Sequence, residues 1–264
     1  MNLSIITITM NCKEAVKRTI DSIIRQTKPI YEYIFIDGGS KDNTNEVIDS
    51  YKETLEKLGI KVIHISEKDK GISDAFNKGI KLATGDLIGI INADDELMPN
   101  TCELLTGNAD FLEADIIYGN CLWVDNGNGI KYVRKPSHDL SRLYYDLVLI
   151  HPSTFVKKAA YDRNGLFNIE YRYCMDKELL LRMYIGGEKF KYIDEQLTLF
   201  RAGGISDKNV INTVSEGVRL SYTYHRPKIK TYTNAAYKII KHKLSSLLKK
   251  TPFYSVVKGN VRKI

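Results

Sequence analysis

Apolar positions in roughly the first hundred residues follow two different periods. Short runs of β-branched and other apolar residues, typical of buried strands, alternate with segments in which apolar residues recur at helical spacing. The predicted strands are residues 3–9, 31–36, 61–66 and 86–91, and the predicted helices are residues 12–26, 43–58 and 72–83. This alternation predicts an α/β fold in which helices flank a mostly parallel central sheet.

The pattern becomes less regular after Pro99. A helix to about residue 112 and strands at 115–119 and 153–157 extend the α/β arrangement. The remaining predictions are a hairpin at 121–134 with its turn at Asn126-Gly-Asn-Gly, a loop with a short helix at 136–152, a helix that opens at Asp176, and helices at 209–224 and 232–250.

Acidic side chains follow two of the predicted strands. Asp37 ends the second strand, and Asn92, Asp94 and Asp95 follow the fourth. Ligands of open α/β sheets bind outside the carboxyl ends of the strands, where these residues would lie. Two adjacent carboxylates repel each other unless a cation or hydrogen-bond donors neutralise them, and such oxygen ligands suit Mg²⁺ or Mn²⁺ bridged to substrate phosphates. We therefore predict a metal-assisted nucleotide site; the alternative is a solvated turn before Pro99.

Three further residues have both a functional and a structural interpretation. Asp176 would serve as a general base towards an acceptor hydroxyl, or it would lie at the N-terminus of its helix as a cap or first-turn acid, and the sequence by itself favours the cap. Arg201 lies in the glycine-bearing segment 200–206, which would either close over phosphates or form an ordinary surface turn. His151 would contact a phosphate or an acceptor, but a structural role is favoured for it.

Charge is distributed unevenly along the 264 residues. The segment 217–264 carries twelve lysines and arginines and no acidic residue, so that residues 1–216 carry −5 of the net charge of +7. A helix within this segment has one apolar face, formed by Tyr232, Ala236, Ile239, Ile240, Leu244 and Leu247. This pattern predicts that residues 226–264 contact an anionic membrane surface, although the same face would also suit docking onto the main domain. Nucleic acid is not an expected partner, because no RNP, KH or zinc module accompanies the charge.

Several protein classes are disfavoured by what the sequence lacks. It contains neither the G-x-G-x-x-G nor the G-x-x-x-x-G-K-[ST] phosphate loop, and no apolar run approaches the ~18 residues of a membrane helix. The four cysteines form no C-x-x-C pair and the N-terminus has no basic region of a signal peptide. These features favour a cytoplasmic protein, peripheral on the inner face of the cell membrane through its basic tail.

Five segments resemble the family 2 glycosyltransferases, which are inverting enzymes of GT-A fold. They are SIITITMN, FIDGGSKDNT, EKDKGISDAFNKGIKLATGDLIGIINADDEL, MDKELLLRM and FRAGGIS, and they occur in the family's order between about residues 3 and 206. The resemblance implies a GT-A domain over residues 1–210, with a nucleotide-sugar half at about 1–100 and an acceptor half at about 101–210. Residues 211–264 would then be a basic helical extension.

The resemblance also implies roles for single residues. The D-x-D motif falls on Asn92-Ala93-Asp94, which makes Asp94 the metal and diphosphate ligand, and the catalytic base falls on Asp176. The nucleotide would be held by Thr7 and Asp37 at the base and ribose and by Asp69, Asp74 and Lys78 on the nucleotide side. The chain departs from the family pattern at Asn92, which removes one charge of the motif, and at Met175, which stands where an acidic residue often precedes the base.

The expected activity is transfer of a sugar, with inversion, from a UDP-sugar to a hydroxyl of a lipid-linked or oligosaccharide acceptor. The setting would be biosynthesis of a bacterial surface polysaccharide such as O-antigen, capsule or exopolysaccharide, and the cofactor would be Mn²⁺ or Mg²⁺. A nucleotidyltransferase is one alternative, but ITITMNCKEA lacks the glycine-rich phosphate loop that it would need. A non-catalytic module that binds a nucleotide-sugar or nucleic acid and is anchored by its tail is another.

Overall fold

One mixed sheet forms the centre of the protein. A computed structural model describes residues 1–125, 129–201, 209–224 and 228–248. Its strands are β1 Leu3–Thr9, β2 Glu32–Asp37, β3 Lys61–Ser66, β4 Leu87–Ile90, β5 Glu96–Leu97, β6 Ile116–Asp125, β7 Ile130–Arg134, β8 Thr154–Lys157 and β9 Phe190–Arg201. Its α-helices are α1 Lys13–Ile24, α2 Thr44–Lys57, α3 Ile72–Leu82, α4 Thr101–Gly107, α5 Lys158–Asn164, α6 Met175–Ile185, α7 Val210–Thr223 and α8 Lys228–Leu248.

The first half of the sheet confirms the predicted parallel arrangement. Strands β3, β2, β1 and β4 lie side by side in that order, and every pairing among them is parallel. Alternate β1 residues point to opposite faces, so that Ile5 packs with Val16 and Ile20 of α1 while Ile6 packs with Phe76 of α3. The two faces are thus buried under different helices, and the carboxyl ends of four parallel strands lie at one edge.

The second half of the sheet departs from the parallel pattern. Strand β8 runs antiparallel to both of its neighbours, β4 and β6, whereas β9 runs parallel to β6 and antiparallel to the short β5. Strand β9 was not predicted, because its sequence FKYIDEQLTLFR is largely polar and its side chains are mostly half-buried or exposed. Phe200 and Arg201 therefore end a strand and do not belong to a loop. Residues 202–206 of the predicted loop, like 126–128 of the predicted hairpin turn, lie outside the described residues.

Helices α7 and α8 pack beside the second half of the sheet. Leu220 of α7 is fully buried, and Asn234 of α8 donates from Nδ2 to the carbonyl of Tyr145 at 2.8 Å. Lys238 Nζ lies 2.6 Å from Asp146 Oδ1. Tyr232, from the predicted apolar face, also contacts the ring of Tyr222 of α7, so both polar contacts and part of this face hold the described part of α8 against its neighbours.

Much of the predicted apolar face of α8 is open to solvent. Tyr232, Ile240 and Leu244 each expose more than half of their surface, and Ala236 is also exposed, while Ile239 is half-buried. Within the described ranges, no helix combines the length and the apolar character that crossing a bilayer requires. The predicted boundary between the domain and its extension, at residues 210 and 211, stays a prediction.

Candidate functional site

The carboxyl edge of the parallel strands brings the predicted site residues together. Strands β2 and β4 are separated by β1 alone, so that their axes lie about 10 Å apart, or two strand spacings. Strand β8 runs in the opposite direction, so its first residues, which follow His151, also lie at this edge. Strand β9 is parallel to β6, and its last residue, Arg201, reaches the turn that follows β4.

Asp37 organises the loop that follows β2. Its carboxylate is fully buried and accepts hydrogen bonds from Thr9 Oγ1, from the backbone N–H groups of Gly39 and Ser40, and from the side chains of Ser40, Asn45 and Ser66. Burial by itself would raise the pKa of Asp37, but these hydrogen bonds, led by those from Ser40, lower the pKa to about 2. The carboxylate of Asp37 therefore holds the loop in place through hydrogen bonds within the protein. A nucleotide at this strand end would contact the loop.

Thr7 does not lie at the edge of the sheet. Its side chain is fully buried, and its Oγ1 lies 3.1 Å from the hydroxyl of Tyr33 in the core. The strand-end threonine is Thr9, whose hydroxyl donates to Asp37 Oδ1 at 3.0 Å. The predicted contact of the Thr7 side chain with the base or ribose is therefore not retained.

Asp69, Asp74 and Lys78 are brought together as predicted, around the ammonium group of the lysine. Lys78 Nζ lies 2.6 Å from Asp69 Oδ1 and 3.7 Å from Asp74 Oδ2, and Glu67 joins them at 2.7 Å. Hydrogen bonds to Asp69 and then to Glu67 raise the pKa of Lys78. A Cβ atom at Gly38 would lie 3.1 Å from Asp69 Oδ2, so this ion-pair cluster lies directly against the loop that Asp37 fixes.

The two carboxylates after β4 point to different environments. Asp94 is exposed, whereas Asp95 is fully buried and accepts from the N–H of Arg201 at 3.2 Å and from Asn92 Nδ2 at 3.3 Å. Burial, and then the charge of Asp94, raise the pKa of Asp95 to about 8. Asp95 therefore holds the turn in place, while Asp94 remains open to a ligand.

The guanidinium of Arg201 is engaged within the protein. It forms an ion pair with Glu96, and the side chain exposes only 19% of its surface. The prediction that Arg201 faces phosphates is therefore not supported by this arrangement. Instead, its backbone and its side chain join the end of β9 to the turn that carries Asp94.

The turn after β4 fits one kind of metal site. In the described parts of the chain there is no group of three or more His, Cys, Asp or Glu side chains that could hold a metal ion. Mg²⁺ and related cations often use one or two carboxylates, with waters and substrate phosphates as the remaining ligands. The exposed carboxylate of Asp94 fits a cation that would take its other ligands from waters and a substrate diphosphate.

Asp176 is not the cap of its helix. It is the second residue of α6, after Cys174 at the N-cap position, and its Oδ1 accepts from the N–H of Lys177 at 2.8 Å. The capping role belongs to Glu216 of α7, whose carboxylate accepts from the N–H groups of Arg172, Tyr173 and Cys174 at 2.7–3.0 Å. The predicted place of Asp176 in the first turn is therefore confirmed, but the N-cap role is not found, and its half-buried carboxylate is not needed for helix capping.

His151 packs between two aromatic rings and faces Asp176. Its ring lies 5.4 Å from that of Phe76 and 6.0 Å from that of Phe167, and His151 and Asp176 line the same small cavity. Burial lowers the pKa of His151, and the charge of Asp176 opposes this shift. The structural role favoured from the sequence agrees with this packing, but no pattern in the sequence predicts the neighbouring carboxylate of Asp176.

Helix α3 ties the two halves of the site to each other. Asn77 donates from Nδ2 to the carbonyl of Phe167 and accepts from its N–H, both at 2.9 Å, and Ser73 Oγ donates to the carbonyl of Tyr171 at 3.2 Å. The same helix carries Lys78 towards Asp69 on the other side. One rigid element therefore sets the distance between the loop after β2 and the segment that leads into Asp176.

The chain is similar in sequence to one protein family and to several bacterial glycosyltransferases. The family model described as glycosyl transferase family 2 matches residues 4–175. A PGL/p-HBAD biosynthesis glycosyltransferase of Mycobacterium tuberculosis is 29% identical over 185 residues, 69% of each chain. The glycosyltransferase EpsJ of Bacillus subtilis is 27% identical over 214 residues, which are 75% of this chain and 60% of EpsJ.

Solved structures of similar fold include two complexes with nucleotide-sugars. Staphylococcus aureus TarS 1–349 with UDP-GlcNAc has a TM-score of 0.66 at 16% identity and covers 96% of this chain and 77% of its own. The mannosyltransferase PcManGT of Pyrobaculum calidifontis, with GDP-Man and Mn²⁺, has a TM-score of 0.61 at 14% identity and covers 98% of this chain and 79% of its own. At these identities the likeness concerns the fold, which is GT-A.

Proposed function

Because this chain belongs to glycosyl transferase family 2, we propose that it transfers a sugar from a nucleoside diphosphate donor to an acceptor hydroxyl with inversion at the sugar. The observation that carries the proposal is that an exposed Asp94 follows β4, while Asp176, at the start of α6, lines a cavity with Ile90 at the end of the same strand. The nucleotidyltransferase alternative is set aside, because the family match covers the whole donor half.

The donor is proposed to be UDP-linked. The loop fixed by Asp37 and the cluster of Asp69 with Lys78 form a polar surface beside the strand ends, where the base and ribose would bind. Support for a UDP-linked donor comes from TarS, whose complex contains UDP-GlcNAc. PcManGT has a similar fold, however, and its complex contains GDP-Man. The donor class is therefore part of what the experiment below measures.

The chemistry is a single displacement at the sugar C1. Asp176 accepts the proton of the acceptor hydroxyl, the hydroxyl oxygen forms the new bond to C1, and the bond from C1 to the diphosphate oxygen breaks with its electron pair on the diphosphate. A divalent cation held by Asp94 and Asn92 would neutralise the charge that develops on this leaving group. Attack from the face opposite the diphosphate inverts the anomeric centre.

The proposal is tested by incubating the purified full-length chain with a panel of UDP- and GDP-sugars, in Mn²⁺, in Mg²⁺ and in EDTA. In the absence of an acceptor, slow hydrolysis of the correct donor to a free sugar and a nucleoside diphosphate is expected only with a cation. Isothermal titration calorimetry with UDP measures donor binding independently of turnover. If no nucleotide binds and no donor is hydrolysed, the proposed function is wrong.

The acceptor is proposed to be a glycan or a lipid-linked glycan at the inner face of the cell membrane, within biosynthesis of a bacterial surface polysaccharide. The relatives named for PGL/p-HBAD biosynthesis and the exposed apolar side chains of α8 support this setting. The twelve basic residues after Glu216 suit an anionic membrane surface. Nucleic acid is not proposed as a partner.

Membrane contact through α8 predicts a specific response to charge. The double variant Ile240→Asp, Leu244→Asp is expected to bind vesicles containing anionic lipid at least about tenfold more weakly than the unchanged chain, because burial of each side chain contributes about 1.5–3 kcal/mol. Co-sedimentation with vesicles at several salt concentrations measures this binding, which should weaken as the salt concentration rises.

The matched control is Thr233→Asp, His242→Asp, which adds the same two negative charges at exposed polar positions of the same helix. This control should retain more binding than the first variant. Deletion of residues 226–264 should abolish binding altogether. Equal binding by the unchanged chain and the deletion variant would show that the tail does not contact membranes.

A further inference from the structure

Asp176 also lines a second, larger cavity on the acceptor side of the protein. This cavity has a volume of about 140 Å³ and lies among the start of α6, helices α7 and α8, and residues 145–147. Charged and aromatic residues line it: Tyr145, Asp146, Tyr173, Asp176, Lys177 and Lys238. Apolar side chains, among them Leu147, Val214 and Val218, form the larger part of the lining. A space of this size admits a ligand group larger than a single water molecule.

Lys177 is the unusual member of this lining. It exposes only 4% of its surface, and no hydrogen bond or ion pair to its Nζ is found among the parts of the chain that the structure describes. Burial lowers its pKa to about 8, an effect that Lys238 reinforces and that Cys174, Asp146 and Asp176 oppose. At neutral pH the group is thus mainly a buried ammonium, which is costly without a counter-ion.

The nearby carboxylates already have partners. Asp146 Oδ1 lies 2.6 Å from Lys238 Nζ, and Glu216 accepts from the three N–H groups that precede α6. Asp176 accepts from the backbone of Lys177 at 2.8 Å. Asp146 pairs with Lys238, so the cavity walls carry two lysines and two carboxylates, and Lys177 and Asp176 are the members of this set outside that ion pair.

We propose that this cavity is an acceptor subsite in which Lys177 binds a phosphoryl group of the acceptor, an inference that rests on the proposed function. A lysine binds phosphate as a point charge, and a phosphoryl dianion would neutralise the buried ammonium while the hydroxyls of Thr213 and Ser221 line the same space. Since Asp176 lines the cavity too, the bound phosphoryl group would place its own molecule beside the base.

The subsite also gives α8 a defined role. Asn234 and Lys238 of this helix complete the wall of the cavity, although α8 lies beyond the family match at residues 4–175. The family match ends at the first residue of α6, so that Asp176 and Lys177 lie just beyond it and Lys238 lies well beyond it. Acceptor choice would therefore depend on the C-terminal extension.

The inference is tested by calorimetric titration of inorganic phosphate into the full-length chain in EDTA, which removes phosphate bound through a metal. Lys177→Met is expected to weaken phosphate binding by at least about tenfold, because a hydrogen bond to a charged group contributes about 1.5–3 kcal/mol. Lys177→Arg should restore most of this affinity, and Lys189→Met, a change at an exposed lysine, should leave it unchanged. Equal binding by the unchanged chain and Lys177→Met, or no binding to the unchanged chain, would overturn the inference.

A second arm identifies the source of the phosphoryl group. Phosphatidylcholine vesicles that contain phosphatidate present the same group on a lipid, and a loss of vesicle binding in Lys177→Met would identify a lipid-linked phosphate. Loss of inorganic phosphate binding with unchanged vesicle binding would identify a soluble or glycan-borne phosphate. Thermal unfolding of each variant shows whether it is folded, and Lys177→Gln replaces Lys177→Met if that variant is not.

Titration of UDP into the same proteins separates this inference from the proposed function. If UDP binds normally while phosphate binding is independent of Lys177, the subsite is wrong and the donor site stands. If UDP does not bind the unchanged chain while phosphate binding depends on Lys177, the proposed function fails and the anion site remains.

Discussion

Replacement of Asp176 by Asn is expected to lower the rate of sugar transfer by about 10²–10⁴, the usual contribution of a general base. The amide has nearly the same shape as the carboxylate but cannot accept a proton from the acceptor hydroxyl. Because Glu216 and not Asp176 caps α6, the helix should keep its geometry and the unfolding temperature should change little. Initial rates of transfer, together with the affinity for UDP, measure the effect.

The matched control is Asp162→Asn, the same substitution at an exposed carboxylate of α5. It should leave both transfer and UDP affinity unchanged. In Asp176→Asn, UDP affinity should also be unchanged, because the residue acts on the acceptor. Full transfer by this variant would contradict the assignment of Asp176 as the base.

The donor half was predictable from the sequence because its elements are local. The period of the apolar residues defines β1 to β4 and the helices between them, and parallel strands place their carboxyl ends at one edge. Asp74 and Lys78 lie four residues apart on α3, so that their ion pair follows from helical spacing, whereas Asp69 precedes the helix.

Contacts between distant segments could not be predicted in this way. Glu216 caps a helix that begins some forty residues earlier, and no spacing rule joins the two. Strand β9 has a polar sequence because it is only partly buried, so it lacks the apolar run by which a strand is recognised. The opposite orientations of Asp94 and Asp95 depend on the N–H of Arg201, which belongs to that same unpredicted strand.

The arrangement of α3 suggests how donor and acceptor are kept in register. Lys78 lies against Asp69 on the donor side, while Asn77 makes two hydrogen bonds to Phe167 on the acceptor side. Neighbouring residues of one helix point about 100° apart, so one turn of α3 contacts both halves. The donor and the acceptor can then be held in place by α3, without several protein ligands on the metal ion. This agrees with a site in which Asp94 is the exposed carboxylate.

Replacement of Asp94 by Asn is expected to lower metal-dependent donor hydrolysis and transfer by about 10²–10³, the cost of removing one group that stabilises developing negative charge. The side chain is exposed, so the substitution should not disturb the core or the turn, which Asp95 and Asn92 hold. The concentration of Mn²⁺ needed for half-maximal activity should rise by about tenfold or more, since a carboxylate ligand is lost.

Titration of activity with Mn²⁺ separates this effect from a loss of folding. Asp110→Asn, at an exposed carboxylate away from the strand edge, should show the activity and the Mn²⁺ response of the unchanged chain. Asp94→Asn should also bind UDP with less dependence on Mn²⁺, because the cation links the protein to the diphosphate and not to the base. An unchanged Mn²⁺ response in Asp94→Asn would show that other residues bind the cation. Asp95 would be the next carboxylate to test, although it would first have to lose its hydrogen bond from the N–H of Arg201.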